Sequence, residues 1–276
     1  MADEISKEIK NEFKQKKVNH VFHYTKKIDF LLDILASGFK PSYCKESIND
    51  VEYYIPMVSF CNIPLMDVDD YIRYGEYGIG LSLEWAVKNG ISPVVYVHEN
   101  TPFADLHRKI NTTHTPRIVE AVMKDVFAKV ENPNGKPAHF DKEIAFLVEI
   151  NQITVPALQF FKNWKTEYDG KEITTYLERE WRFVPEVQAD ERLISQHEAT
   201  REKFDCIPTL EKPHFPDNKL EIANLDDLRY IMIKDDSQRS VVLDILKAKF
   251  SEEAVIDAIL SGKLLIFTGE HVRNDF

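Results

Sequence analysis

The chain has 276 residues, 43% of them hydrophobic and 29% charged, which excludes a peptide, a disulfide miniprotein and a large multidomain machine. Its 35 basic residues face 46 acidic ones, a net charge of −11, so it lacks the electrostatic footprint of a general nucleic-acid binder. The three cysteines, Cys44, Cys61 and Cys206, show no CxxC spacing and suit neither a disulfide framework nor a cysteine zinc site.

Residues 1–17 are dense in charge and read as a polar helix, not a signal peptide. No apolar run is long enough to span a membrane, and a cytoplasmic location is expected. Val18–Tyr24 reads as a strand. Ile28, Leu31, Leu32 and Leu35 then follow the i, i+3, i+4, i+7 spacing of an amphipathic helix over 28–37, with Gly38 placed to close it. Pro41, Asn49 and Asp50 mark a loop. Tyr54–Asn62 is a strand with Pro56 near its start, where a missing N–H costs least. Residues 63–77 read as helical in the middle. Ile79–Leu83 is a strand, Glu84–Asn89 a short helix ended by Gly90, and Pro93–His98 another strand.

Residues 104–129 read as mostly helical, and Asn132–Lys136 as a turn. Glu143–Ile150 and Ala157–Asn163 fit helix or strand alike. Arg179–Val184 reads as a strand with Trp181 and Phe183 on one face, Glu180 and Arg182 on the other. Residues 188–219, polar and holding Pro208, Pro213 and Pro216, read as a long loop. The remainder reads strand 229–234, helices 237–249 and 252–260 separated by Ser251 as an N-cap, and strand 264–268.

Several mechanisms are unsupported by motif. There is no GxGxxG, no GxxxxGK[ST], no GxSxG and no HExxH, and no metal site is expected. His20 and His23 stand three apart on a strand and point to opposite faces. Useful side chains concentrate in three places. Phe22-His23-Tyr24-Thr25 brings an imidazole, a phenol and a hydroxyl to a strand end, suited to a ribose hydroxyl and a planar ring, or simply to a satisfied sheet. Glu178 and Glu180, two apart, would share a strand face and could stabilise a developing cation, or form an exposed Glu–Arg–Glu ladder with Arg182 beyond. Ser59-Phe60 lies in a largely apolar strand and would line a ligand wall or the core.

The segment FHYTKKIDFLLDILASGFKPS resembles the opening of ADP-ribosyltransferase-like domains. IPMVSFCNIPLMDVDDYIRYGEYGIGLSLEWAVKNGISPVVYV and the later YLEREWRFVPE resemble, more narrowly, the AbiGi-type abortive-infection proteins of bacteria. The resemblance covers about residues 18–190. It implies an α+β fold with a mixed, split β-sheet core, flanking helices and an ADP-ribosyltransferase-like cleft for NAD. On that pattern His23 holds the nicotinamide ribose and amide, with Tyr24 and Thr25 beside it. Ser59 and Phe60 line the nicotinamide pocket, where such domains usually carry a tyrosine. Glu180, with Glu178 second, supports an oxocarbenium-like transition state.

The implied organisation is a polar helix over 1–17 and an α+β core over 18–190 with a candidate nucleotide cleft. A loop-rich segment and α/β tail over 191–276 then pack on the same core. The implied function is phage defence, by transfer of ADP-ribose from NAD to a nucleic acid or protein acceptor. The alternative is a non-catalytic antitoxin that neutralises a partner toxin, and a weaker third is a nucleotide-sensing regulator.

Overall fold

A computed structural model describes residues 18–48, 51–65, 74–109, 156–168, 170–186 and 216–275, with isolated positions between them. The elements run, in chain order, β1 (His20–Thr25), α1 (Ile28–Ser37), β2 (Ser42–Ile48), β3 (Val51–Cys61), β4 (Tyr77–Ser82), α2 (Leu83–Lys88), β5 (Ser92–Pro93), β6 (Val95–Val97) and α3 (Pro102–Lys109). There follow β7 (Phe161–Asn163), β8 (Lys165–Tyr168), β9 (Lys171–Thr174), a 3₁₀ turn (Thr175–Glu178), β10 (Glu180–Phe183) and β11 (Ile194–Ser195). The chain closes with β12 (Leu228–Ile233), α4 (Arg239–Phe250), α5 (Glu252–Leu260), β13 (Leu265–Thr268) and α6 (Gly269–Asp275). The protein is a mixed α+β structure, and its described residues fall into two compact units.

The first unit holds the described residues up to Gly38, Phe60–Gly90, and those from Glu221 on. Its strands run in the order β13-β12-β4-β1, with the end of β3 beside β1. β12 and β13 pair in parallel, as the two-helix crossover between them requires, and the remaining pairs are antiparallel. The sheet is therefore mixed.

Alternation along β1 decides its packing. His20, Phe22 and Tyr24 share a face, where Phe22 is fully buried with Ile63, Met232, Phe267 and Val272. Burying such a side chain is worth roughly 1.5–3 kcal/mol. Between β1 and β12 runs β4, whose Gly80 leaves room for the Phe22 and Tyr230 rings to stack at 5.5 Å. A Cβ at Gly80 would stand 2.8 Å from Tyr230 and 3.0 Å from the tip of Phe22.

The helix over 28–37 forms as its spacing predicts, burying Leu31 and Leu35. Gly38 closes it at φ 88° and donates its N–H to the Ile34 carbonyl. Ser82 caps α2, accepting the Trp85 N–H, and Ser251 caps α5, accepting the Ala254 N–H. The tail forms the strand, two helices and strand expected of it, then adds α6. No described helix is long and apolar enough to cross a membrane.

The second unit holds Phe39–Ser59 and the described residues of Ile91–Leu220. Here the structure departs from several expectations. Residues 42–48 are not a loop but β2, paired antiparallel with β3 from Ser42↔Met57 to Ile48↔Val51. The polar sequence SYCKESI gives little alternation, and the ladder to β3 supplies what propensity does not. β3 therefore starts at Val51, and Pro56 lies in mid-strand opposite Tyr43. The strand over 93–98 divides into β5, paired with β10, and β6, paired in parallel with β7. Residues 161–163, readable either way, are strand.

The expected polar helix over 2–17, the turn over 132–136 and most of 63–77, 104–129, 143–150 and 188–219 lie outside the described residues.

Candidate functional site

The three groups of side chains that the sequence singled out are divided between the two units. His23, Tyr24, Thr25 and Phe60 belong to the first. His23 and Tyr24 leave opposite faces of β1, as neighbours on a strand must. The His23 ring lies 5.7 Å from that of Phe60, which is fully buried and meets Trp85 edge-on at 6.0 Å. Tyr24 stacks on Phe22 at 5.8 Å, against the apolar core. Thr25 is buried where β1 ends. His20 meets the Ile63 carbonyl through Nε2 at 2.9 Å. Burial pulls its imidazole below the ordinary value, against the opposing pull of that carbonyl. Ser59 belongs to the second unit and its Oγ lies 3.6 Å from the Met57 sulfur.

Glu178 and Glu180 lie in the second unit, and they converge by a route other than the one their spacing suggested. They do not share a strand face, because Glu178 ends the 3₁₀ turn and only Glu180 begins β10. Between them Arg179 adopts the left-handed conformation, φ 45° and ψ 52°. That reversal aims both carboxylates at one lysine. Lys162 Nζ, from β7, donates to Glu178 Oε2 at 3.2 Å and to Glu180 Oε2 at 2.5 Å.

The Glu180–Arg182 face of β10 is also the buried one, whereas Trp181 and Phe183 are half-buried. It is not an exposed charge ladder. Arg182 is 0% exposed and Glu180 4%. Arg182 Nε donates to Glu180 Oε1 at 2.7 Å, and Nη2 reaches Glu46 Oε1 of β2 at 3.1 Å. Nη1 donates to the Gln159 carbonyl at 2.9 Å and to that of Phe161 at 3.3 Å. Lys162 stands 4.0 Å from Glu46 as well. Buried charge survives only when paired and hydrogen-bonded, and here three carboxylates surround two cations.

Sequence reasoning missed Glu46, Lys162 and Tyr96, whose hydroxyl accepts the Glu180 N–H at 2.7 Å. The available signal was Lys162 itself, the one charge within the aromatic-rich run LQFFKNW.

These neighbours set the ionisation. Burial alone would raise the Glu180 carboxyl, but Arg182 and Lys162 overcome it and hold the group at about 2. Burial likewise works against the charged forms of Lys162 and Arg182, and the carboxylates push both above their ordinary values. Burial raises the Tyr96 phenol, against the opposing pull of the hydrogen bond from the Glu180 backbone N–H.

A folded value depressed from 4.5 gives stability that is complete above pH 4.5 and drains away as pH falls towards 2. The full amount is of order 3 kcal/mol. Urea midpoints at pH 7, 5, 4 and 3 are expected to fall below pH 4.5, and less steeply in Glu180→Gln. Equal acid slopes in the two proteins would remove Glu180 as the cause.

Chemically, the cluster keeps Glu180 ionised but engages both its oxygens. Oε1 accepts from Arg182, and Oε2 from Lys162 and, at 3.4 Å, Arg182 Nη2. Three of about four lone-pair positions are taken.

A family model described as "Putative abortive phage resistance protein AbiGi, antitoxin" matches residues 37–233. The chain belongs to the AbiGi family. A curated relative, the Abortive phage resistance protein AbiGi of Lactococcus lactis subsp. cremoris, is 24% identical over 272 residues, covering 87% of this chain and 100% of the relative. No solved structure matches. The AbiGi match begins within α1 and ends on the last residue of β12. It spans the whole ion cluster, and leaves α4, α5 and β13 beyond it.

Proposed function

We propose that this AbiGi-family chain is a non-catalytic antitoxin, a cytoplasmic binding protein that neutralises a partner toxin of a bacterial abortive-infection system. The family description supports the class of function. The observation that carries the choice against catalysis is the engagement of Glu180. A carboxylate supporting an oxocarbenium-like transition state needs a free oxygen edge towards the sugar. Both oxygens of Glu180 instead serve internal cations, and the carboxylate is 4% exposed.

The second reading is an ADP-ribosyltransferase-like fold that binds NAD and passes ADP-ribose to a macromolecular acceptor. It rests on the resemblance around His23 and on the His23–Phe60 ring pair.

One pair of measurements separates the two. The full chain is co-expressed with the protein of the adjacent gene, and NAD is titrated calorimetrically into the purified chain. The antitoxin reading expects a stable complex that restores growth, and no heat from NAD. It is overturned by NAD binding that His23→Ala abolishes, together with nicotinamide release lost in a folded Glu180→Gln protein.

A further inference from the structure

The second unit carries a cleft of about 650 Å³ that neither the resemblance nor the family description assigns. Its volume lies in the range of ligand sites. One side is formed by Val97, His98 and Glu99 after β6, another by Trp164 and the β8–β9 hairpin, with Arg108 of α3 between.

The charges that line it are unevenly spent. Arg108 is paired with Asp105 at 2.9 Å, and Lys165 with Glu172 at 2.5 Å. Glu99 and Glu167 also line the cleft and stand in no ion pair among the described residues. Among the described residues the cleft thus offers two unpaired carboxylates, while both its Arg and its Lys stand in ion pairs.

Its aromatic wall is held from beneath. The Trp164 ring stacks on Tyr176 at 4.6 Å and 18°, and Tyr176 meets Tyr96 edge-on at 5.4 Å. Trp164 donates its backbone N–H to the Val97 carbonyl at 2.8 Å, and its own carbonyl accepts from the Thr175 N–H at 3.0 Å. The Thr175 hydroxyl sits between the Asn163 and Trp164 carbonyls. Tyr96 is tied through its hydroxyl to Glu180, and the turn bearing Tyr176 ends at Glu178. The buried ion cluster therefore fixes the turn that presents Tyr176 and Leu177, which are 49% and 63% exposed.

We infer that this cleft takes a lysine- or arginine-bearing segment of a protein partner. The cation meets Glu99 and Glu167, and its stem and charge lie along Trp164, the aromatic residue of the lining, where a cation is attracted to the ring face. For a chain of net charge −11, a basic partner is also the one long-range attraction favours. The identity of that partner as the toxin rests on the antitoxin reading. The chemistry of the cleft does not.

The three tryptophans make the site observable, because each gives one indole N–H resonance. The full chain is titrated with the capped peptide Gly-Gly-Arg-Gly-Gly, and with its Glu counterpart, with Trp164 assigned by Trp164→Phe. The Arg peptide is expected to move the Trp164 signal, with Kd raised at least tenfold in Glu99→Gln/Glu167→Gln, and the Glu peptide to leave it still. No movement, equal movement with both peptides, or an unchanged Kd in the double variant overturns the site. The same double variant is then tested against the adjacent gene's protein. A tenfold weaker complex supports the cleft as the toxin's contact, and an unchanged one overturns that while the antitoxin reading stands. Peptide binding beside a wild-type chain that forms no complex upholds the cleft and overturns the antitoxin reading.

Discussion

Arg182→Met is expected to lower the stability of the protein by roughly 3–5 kcal/mol, the loss typical of breaking a buried ion pair from one side. That is a large share of the ~5–15 kcal/mol that holds an ordinary domain. The cause is what remains. Methionine preserves much of the stem's volume, but among the described residues Glu180 keeps only Lys162, and Glu46 keeps only a 4.0 Å approach to the same lysine. The carbonyls of Gln159 and Phe161 also lose their guanidinium donor. Urea unfolding followed by tryptophan fluorescence reads the loss. Adding Glu180→Gln to Arg182→Met should recover part of it, because deleting both charges is milder than orphaning one. A single-variant loss below about 1 kcal/mol, or a double variant as weak as the sum of the two singles, would show that the cluster is not a closed ionic unit.

Gly75→Ala should destabilise the first unit by about 3 kcal/mol or more, beyond the range of ordinary overpacking. Gly75 abuts the end of β1, and a Cβ there would overlap the carbonyl of Thr25 and stand 2.9 Å from the Lys26 nitrogen. These are backbone atoms, so no side-chain rotation relieves the overlap. Either β1 shifts or the segment before β4 does. The displaced residues would be those that carry His23, Tyr24 and Thr25, so the same variant should move the His23 ring resonances. Thermal unfolding within about 1 kcal/mol of wild type would mean that the segment around Gly75 yields at little cost.

What was legible in advance divides along the range of the interactions concerned. The helix over 28–37 was legible because its apolar spacing, its closing Gly38 and its hydrogen bond to Ile34 all lie within a dozen residues. The same holds for Ser251 between α4 and α5, where one hydroxyl and one nearby N–H make the whole device. The parity of β1 was legible too, since alternation alone sends His20 and His23 to opposite faces. The strand over 42–48 was not, because its partner is β3 and its own residues carry little pattern. Pro56 was misplaced for the same reason, as the strand's true start is set by the hairpin.

The candidate site follows this division. The sequence, by itself, determined that Glu180 and Arg182 share a face of one strand, and that residues 18–190 resemble the AbiGi proteins to which the chain belongs. Only the tertiary structure decided that this face turns inward. It did so by bringing Lys162 from β7 and Glu46 from β2, far away in the chain, close enough to neutralise what burial would otherwise forbid. A charged strand face carries no mark of whether it meets water or counter-ions. Desolvation and Coulomb attraction are both large and opposed, and their balance depends on distances of a few ångströms that the order of residues does not contain.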